Sequence, residues 1–458
     1  MLDMMILEII KSEGLAHKSY FIGSKGESAV IDPRRDCDSY VNYSKKHDMQ
    51  ITHIFETHCN EDYVVGSMEL SKRVEAPIYH GKNLDFNYGN MVEEGNKFQI
   101  GDIELEIIET PGHTHESISL LLKDKAVSDD AYIIFTGDTL FAGEVGRTDI
   151  YGDDAREKMA GKLYDSLHKK IIPLGDHVLV FPAHGSGSVC GKEIRESEFT
   201  TIGYEKKTNP MLQKSKEEFI AHKLNEKMVK APYFKKMEVY NKDGAPLLCR
   251  LPYLKPLGIS EFKEHIGTSQ IVDVRMAASF AGGHVSGTLN IWKRGLTYFA
   301  GWMLNYEDPI VIIDENNQSM DEIARYLIRI GYDNIHGYLA DGFTLWANSG
   351  EKIEKIDTWS AHDLKERQGD ESLFILDVRE IGEREEGYIE GSHHIYVGDL
   401  KDHLEEVPDD KYIVLYCDTG NRASIAASVL KINGYKEVAI VLGSIRAWKA
   451  AGYPLVKD

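Results

Sequence analysis

The last part of this 458-residue chain repeats itself. Ile271-Val272-Asp273-Val274-Arg275 returns as Ile375-Leu376-Asp377-Val378-Arg379, and Gly283-His284-Val285-Ser286-Gly287 returns as Gly387-Tyr388-Ile389-Glu390-Gly391. Ile310-Val311-Ile312-Ile313-Asp314 returns as Ile413-Val414-Leu415-Tyr416-Cys417, and Ile330-Gly331-Tyr332 as Asn433-Gly434-Tyr435, with the offset held at 103 or 104 residues. Each copy alternates apolar strands with helices, which predicts two small α/β domains with mostly parallel sheets. Boundaries near 250 and 355 then divide the chain into 1–250, 251–354 and 355–458. Three domains are also what the length suggests at roughly 150 residues each.

Composition narrows the function classes. Lys and Arg total 53 against 74 Asp and Glu, a net charge of −21, which argues against nucleic acid or an anionic membrane as partner. No apolar run approaches the ~18–20 residues that span a bilayer, and Met1-Leu2-Asp3-Met4-Met5-Ile6 lacks a basic leader. Five scattered cysteines make no disulfide framework, so a reducing cytoplasm is expected.

From 4 to 187 short β-rich runs alternate with amphipathic stretches. Strands are expected at 20–22, 29–31, 51–56, 76–79, 118–122, 132–136 and 177–181, a hairpin at 98–109, and helices at 38–47, 63–74 and 155–170. Strand ends deliver His58, Asp138 and His184 into loops, where sites are built. The Lys- and Glu-rich stretch 204–241 reads as a closing helical layer of the first domain plus linker, its charge run as a solvated helix face without a function.

In the last domain, Cys417-Asp418-Thr419-Gly420-Asn421-Arg422 joins a buried strand to a helix. Backbone N–H groups and the helix dipole there favour an anionic sulfur. Gly420 permits the curvature, and Arg422 adds a cation for an oxyanion. This loop, with Asp377-Val378-Arg379-Glu380 before it and Ala451-Gly452-Tyr453-Pro454 after it, resembles the rhodanese sulfurtransferases. The resemblance implies that Cys417 carries a persulfide sulfur. The middle copy has Asp314 in place of the cysteine and no loop arginine, so it resembles an inactive rhodanese domain.

Four N-terminal motifs in order, Thr57-His58 with Asp62, Thr110-Pro111-Gly112-His113, Gly137-Asp138 and Pro182-Ala183-His184, resemble the metallo-β-lactamase fold. The chain is thereby identified as an α/β and α+β multidomain protein, an αββα domain followed by two rhodanese-like α/β domains. Hydrolases of that fold carry His-x-His-x-Asp-His in the first motif. Here Asn60 and Tyr63 replace two of those histidines, leaving each metal of a dizinc site one ligand short. The resemblance leaves His58, His113 and Asp138 available, a two-His-one-carboxylate set that suits non-haem Fe(II) and O2. This resembles the persulfide dioxygenase branch, some members of which are fused to rhodanese domains.

The resemblance implies one Fe(II) in the N-terminal domain and a coupled reaction. A low-molecular-weight persulfide of glutathione, coenzyme A, bacillithiol or cysteine is oxidised by O2 to thiol and sulfite, and Cys417 joins sulfane sulfur to sulfite as thiosulfate. Asp62 and His184 become groups around the metal ligands. Arg147 either binds an anionic thiol or makes a surface salt bridge; Cys190 either handles sulfur or is buried and inert. His53 and His80 read as structural, His115 as a neighbour of the metal ligands, and Cys37, Cys59 and Cys249 as ordinary thiols. The alternatives are a glyoxalase II-like thioester hydrolase fused to a sulfurtransferase, and a non-catalytic persulfide sensor or sulfur carrier. The sequence leaves a homo-oligomer open.

Overall fold

Lys25 and Gly26, with φ of +48° and +83°, turn strand His17–Ser24 into Glu27–Ile31. Left-handed backbone at both turn residues matches the natural twist of paired strands. The computed structural model describes residues 5–191 and 193–457; Met1–Met4, which belong to the leader reading, and Lys192 lie outside the described residues. The chain divides into two compact units, Met1–Leu251 with Ile328–Gly331, and Pro252–Leu327 with Tyr332–Asp458.

In the first unit six strands in chain order, from Ile6–Ser12 to Asn90–Val92, form one sheet. Six more, from Lys97–Ile100 to Thr200–Thr201, form a second. Period-two alternation decides how they stack. Ile103, Leu105 and Ile107 point with Ile22, Phe55 and Phe135 into one apolar layer between the sheets. Their neighbours face outward: Ile108, Leu121 and Ile134 bury Leu163 and Phe219 of helices Asp153–Ser166 and Lys216–Asn225. Phe21, Val30 and Ile54 do the same for Tyr40 and Leu70 of Asp38–Lys46 and Ser67–Val74. Each such side chain contributes roughly 1.5–3 kcal/mol on burial. Four layers, αββα, result.

The helix expected over 63–74 starts only at Ser67. Asn241 holds the preceding loop irregular: its Nδ2 donates to the carbonyls of Asn60 and Tyr63, both at 2.7 Å, and its Oδ1 accepts from Val65 N–H at 2.9 Å. Asn241 is buried in helix Phe234–Asp243, within the stretch read as solvated and functionless. That reading is corrected: the helix pins the first motif.

In the second unit the repeat becomes two five-stranded parallel sheets of the same strand order. One runs Lys255–Leu257, Ile335–Leu339, Ile310–Ile313, Gln270–Asp273, Leu289–Asn290. The other runs Asp357–Trp359, Val438–Val441, Tyr412–Tyr416, Leu373–Asp377, His393–His394. The repeated Asp-x-Arg is a buried ion pair at a strand end, Asp273–Arg275 and Asp377–Arg379, each at 2.6 Å. Each arginine also donates to the glycine carbonyl of the second repeated motif, Gly283 or Gly387. All five cysteines are unpaired, and among the described residues no helix is long and apolar enough to cross a membrane.

Two glycines of the first unit test this packing with opposite signs. Gly112 has φ +150°, and a Cβ there would lie 2.3 Å from Leu163 Cα, which is backbone. Gly112→Ala is expected to destabilise by about 1–3 kcal/mol, as overpacking does. Gly161 sits inside helix Asp153–Ser166 with no atom nearer than 3.8 Å to an added Cβ, so Gly161→Ala should stabilise by up to about 1 kcal/mol. Calorimetric melting of the intact chain would show the first unit's transition moving down for one and up for the other; equal shifts would contradict the packing.

Candidate metal centre and sulfur-carrier loop

His58, His113 and Asp138 come from three different strand-to-loop junctions, yet their ligand atoms lie within 4.8 Å of one another, all buried. His58 Nε2 and His113 Nε2 are 3.8 and 3.7 Å from Asp138 Oδ2. Both rings are oriented from behind. Thr57 Oγ1 donates to Asp32 Oδ2 at 2.8 Å and so accepts from His58 Nδ1 at 2.9 Å. His113 Nδ1 donates to the Arg147 carbonyl at 3.0 Å. Each hydrogen bond places the proton on Nδ1 and turns the Nε2 lone pair inward, as metal-bound histidines require. Burial pushes His58 down to about 4, so its ring is neutral. For His113 burial also lowers the value, but the Glu61 and Asp138 carboxylates outweigh it and hold it at about 9. A proton there sits where a metal cation would draw on the same carboxylates.

The donor set fits a metal ion. His58 Nε2 and Asp62 Oδ1 are buried without a hydrogen-bond partner; such atoms cost about 1–3 kcal/mol each when nothing takes them up. His184 Nδ1 binds the Asp138 carboxylate at 2.7 and 3.0 Å, and its Nε2 lies 3.2 Å from Asp62 Oδ2. Asp62, His184 and Cys190 make a second trio whose ligand atoms lie within 4.8 Å. Asn60 turns its side chain to the His58 carbonyl, and Tyr63 stacks on His17 with ring centres 4.1 Å apart. Neither points a nitrogen into the site.

Glu61 was missed from sequence, although it lies inside the first motif. Its Oε2 is 3.3 Å from His113 Nε2, and its Oε1 accepts from Cys190 Sγ at 3.5 Å. Burial drives the Cys190 thiol well up, and the nearby carboxylates add to it. Arg147 is no surface salt bridge: it is fully buried, with Nε and Nη2 on the Asp149 carboxylate at 2.7 and 2.8 Å. Its backbone carbonyl, not its charge, reaches the candidate metal site, at His113. His115 is outside the cluster and stacks on Tyr151 at 4.3 Å. A cavity of about 220 Å³ opens beside the site, lined by Cys59 and Thr114, which follow His58 and His113, and by Tyr151, Glu238 and Lys242.

In the second unit, Cys417 ends strand Tyr412–Tyr416 and is nearly inaccessible. Gly420, at φ +115°, bends the loop so that its N–H points at Cys417 Sγ, 3.1 Å away, ahead of helix Asn421–Ile432. Ser444 Oγ accepts from Cys417 N–H at 3.1 Å. Arg422 does not point into open solvent as a free cation: both Nη atoms are held by Glu383, at 2.5 and 2.7 Å. Asp314, at the matching place in the middle copy, is largely buried and its carbonyl accepts from Phe343 N–H.

The sequence matches the metallo-beta-lactamase superfamily over residues 13–184 and the rhodanese-like domain twice, over 259–349 and 360–451. The mitochondrial persulfide dioxygenase ETHE1 of Bos taurus is 28% identical over 214 residues, 44% of this chain and 74% of that protein. Hydroxyacylglutathione hydrolase GloC of Haemophilus influenzae is 27% identical over 207 residues, 40% of this chain and 87% of that protein. The crystal structure of a metallo-beta-lactamase from Staphylococcus aureus covers 73% of this chain and 99% of its own, with TM-score 0.65 and 29% identity. The chain is therefore a fusion of an N-terminal metallo-beta-lactamase-superfamily domain with two rhodanese-like domains in tandem.

Proposed function

We propose that the N-terminal domain is a persulfide dioxygenase and the C-terminal domain a sulfurtransferase that uses its product, in the cytoplasm. The overall reactions are RSSH + O2 + H2O to RSH, sulfite and two protons, then persulfide sulfur plus sulfite to thiosulfate. The observation that carries the first half is the convergence of two imidazole Nε2 atoms and one carboxylate, with Asn60 and Tyr63 contributing no further nitrogen. His58, His113 and Asp138 would hold one Fe(II), which when bound supplies the electrons and open positions that O2 chemistry needs.

The remaining work falls to the chain. Thr57 and the Arg147 carbonyl keep both imidazoles in the binding tautomer. Asp138 stays ionised: burial would raise it, but His184 and His58 hold it far below the carboxylate range. The cavity beside Cys59 and Thr114 takes the body of the thiol carrier. At the other site sulfite attacks the outer sulfur of a Cys417 persulfide. The S–S bond breaks, its electron pair returns to Cys417 Sγ, and the Gly420 N–H steadies the anion.

The second reading is a thioester hydrolase with two metals. The trio Asp62, His184 and Cys190 favours it, since a thiol there could substitute for a missing imidazole.

Chelated protein should lose O2 uptake on persulfide, regain it with Fe(II) and not with Zn(II). Among glutathione, coenzyme A, bacillithiol and cysteine persulfides, one should stand out in kcat/KM. Full activity with zinc, or thioester hydrolysis without oxygen, would move the assignment to the hydrolase. Thr57→Val removes the hydrogen bond behind His58 and should cost about 10–100-fold in metal affinity or activity, read by metal analysis alongside oxygen-electrode rates. Cys417→Ser should abolish thiosulfate while sulfite still accumulates; unchanged thiosulfate would refute the relay.

A further inference from the structure

The middle domain lacks a cysteine at the loop position, yet it touches the catalytic end of its neighbour. Tyr298, on its helix Leu296–Met303, donates its hydroxyl to Glu380 Oε1 of the C-terminal domain at 2.9 Å. Glu380 is one half of a reciprocal cap. Its carboxylate accepts the Glu383 N–H, and Glu383 Oε2 accepts the Glu380 N–H at 3.0 Å. The Glu383 carboxylate is also the group that holds both Nη atoms of Arg422. Four residues thus run in series, from Tyr298 through Glu380 and, by way of the backbone N–H groups of the cap, Glu383 to the arginine of the Cys417 loop.

The seam around this series is close-packed. The Trp302 ring meets Tyr396 edge-on, with centroids 5.4 Å apart at 85°. A Cβ on Gly398 would fall 2.5 Å from the Trp302 ring, so no larger residue fits without movement. A second contact fixes the helix that follows the loop. Ser424 Oγ donates to Asn290 Oδ1 at 2.6 Å, and Asn290 N–H donates to Ser428 Oγ at 3.1 Å. Both serines lie on Asn421–Ile432, whose residues from Ala423 to Leu430 are all buried.

We infer that the middle domain completes the Cys417 site, with Tyr298 as a positioning residue that sets Arg422 for an anionic sulfur substrate. The inference rests on the reading of Cys417 as sulfur carrier. A guanidinium locked in one orientation meets a sulfonate-type anion at less cost in side-chain entropy than a free one. The lock is only as firm as the carboxylates behind it. Without the phenol, Glu380 loses the donor that opposes its rotation, and Glu383 loses a fixed partner.

Tyr298→Phe in the full chain keeps the ring and removes only the hydroxyl. With thiosulfate as donor and cyanide as acceptor, KM for thiosulfate should rise about five- to tenfold, the size of one ordinary net hydrogen bond felt through the intervening carboxylates, with kcat within about twofold. The ratio of Cys417 alkylation rates by iodoacetate and by iodoacetamide should fall by a similar factor, because only the anionic reagent senses Arg422. Glu380→Gln should act in the same direction, and the double variant should be no worse than the stronger single one. Melting should be unchanged, which separates positioning from loss of fold. An unaltered KM together with an unaltered reagent ratio overturns the inference. Sulfur transfer that survives Cys417→Ser overturns the carrier reading instead. Were the wild-type chain to turn over no thiosulfate, the reagent ratio at Cys417 alone decides.

Discussion

One carboxylate organises the N-terminal domain. Asp138 is buried among three imidazoles, bound by His184 and facing the Nε2 atoms of His58 and His113. The surrounding backbone is built to bring it there. A Cβ on Gly137, at φ +53°, would lie 2.6 Å from Thr57 Oγ1, and one on Gly146 would lie 2.0 Å from the Asp138 carbonyl. The strand end that carries Asp138 is therefore pressed directly on the loop that carries His58. A buried charge of this kind is tolerable only while its partners stay in place. The rear contacts from Asp32, Thr57 and the Arg147 carbonyl are part of the same requirement.

Much of this was legible in the residues. The two later domains could be read because a repeat whose offset stays at 103 or 104 residues records duplicated strands, and the structure returns the same strand order twice. His58 and Asp138 were marked as residues that follow strand ends, and His113 by the resemblance of its motif to the metallo-β-lactamase fold; the structure brings their ligand atoms within 4.8 Å of one another. Cys190 beside Glu61 could not, since 129 residues separate them and only the sandwich brings them together. Asn241 was hidden for a similar reason: one amide in a Lys- and Glu-rich helix carries no periodic mark, although it holds three backbone groups of the first motif. Of the two readings of Arg147, the surface salt bridge fails: charge on a loop suggests solvent, whereas Asp149 two residues on pairs with it and makes its burial tolerable.

The two candidate centres are built differently. The candidate metal centre gathers excess negative charge: Glu61, Asp62 and Asp138 are all inaccessible. At the second, a single sulfur is met by a backbone N–H and a helix start, while the one loop cation is already engaged by Glu383. The first depends on side chains from four loops; the second depends on one loop and on what braces it.

That bracing bears on heredity. The middle sheet ends in the two-residue strand Leu289–Asn290, and helix Asn421–Ile432 lies against it through Asn290. An uncovered sheet edge invites pairing with other chains. Recombination that cut the gene between the two copies would bare that edge on one product and the apolar side of the helix on the other. Each copy thus supplies a flank that the other lacks, independently of what stands in its loop.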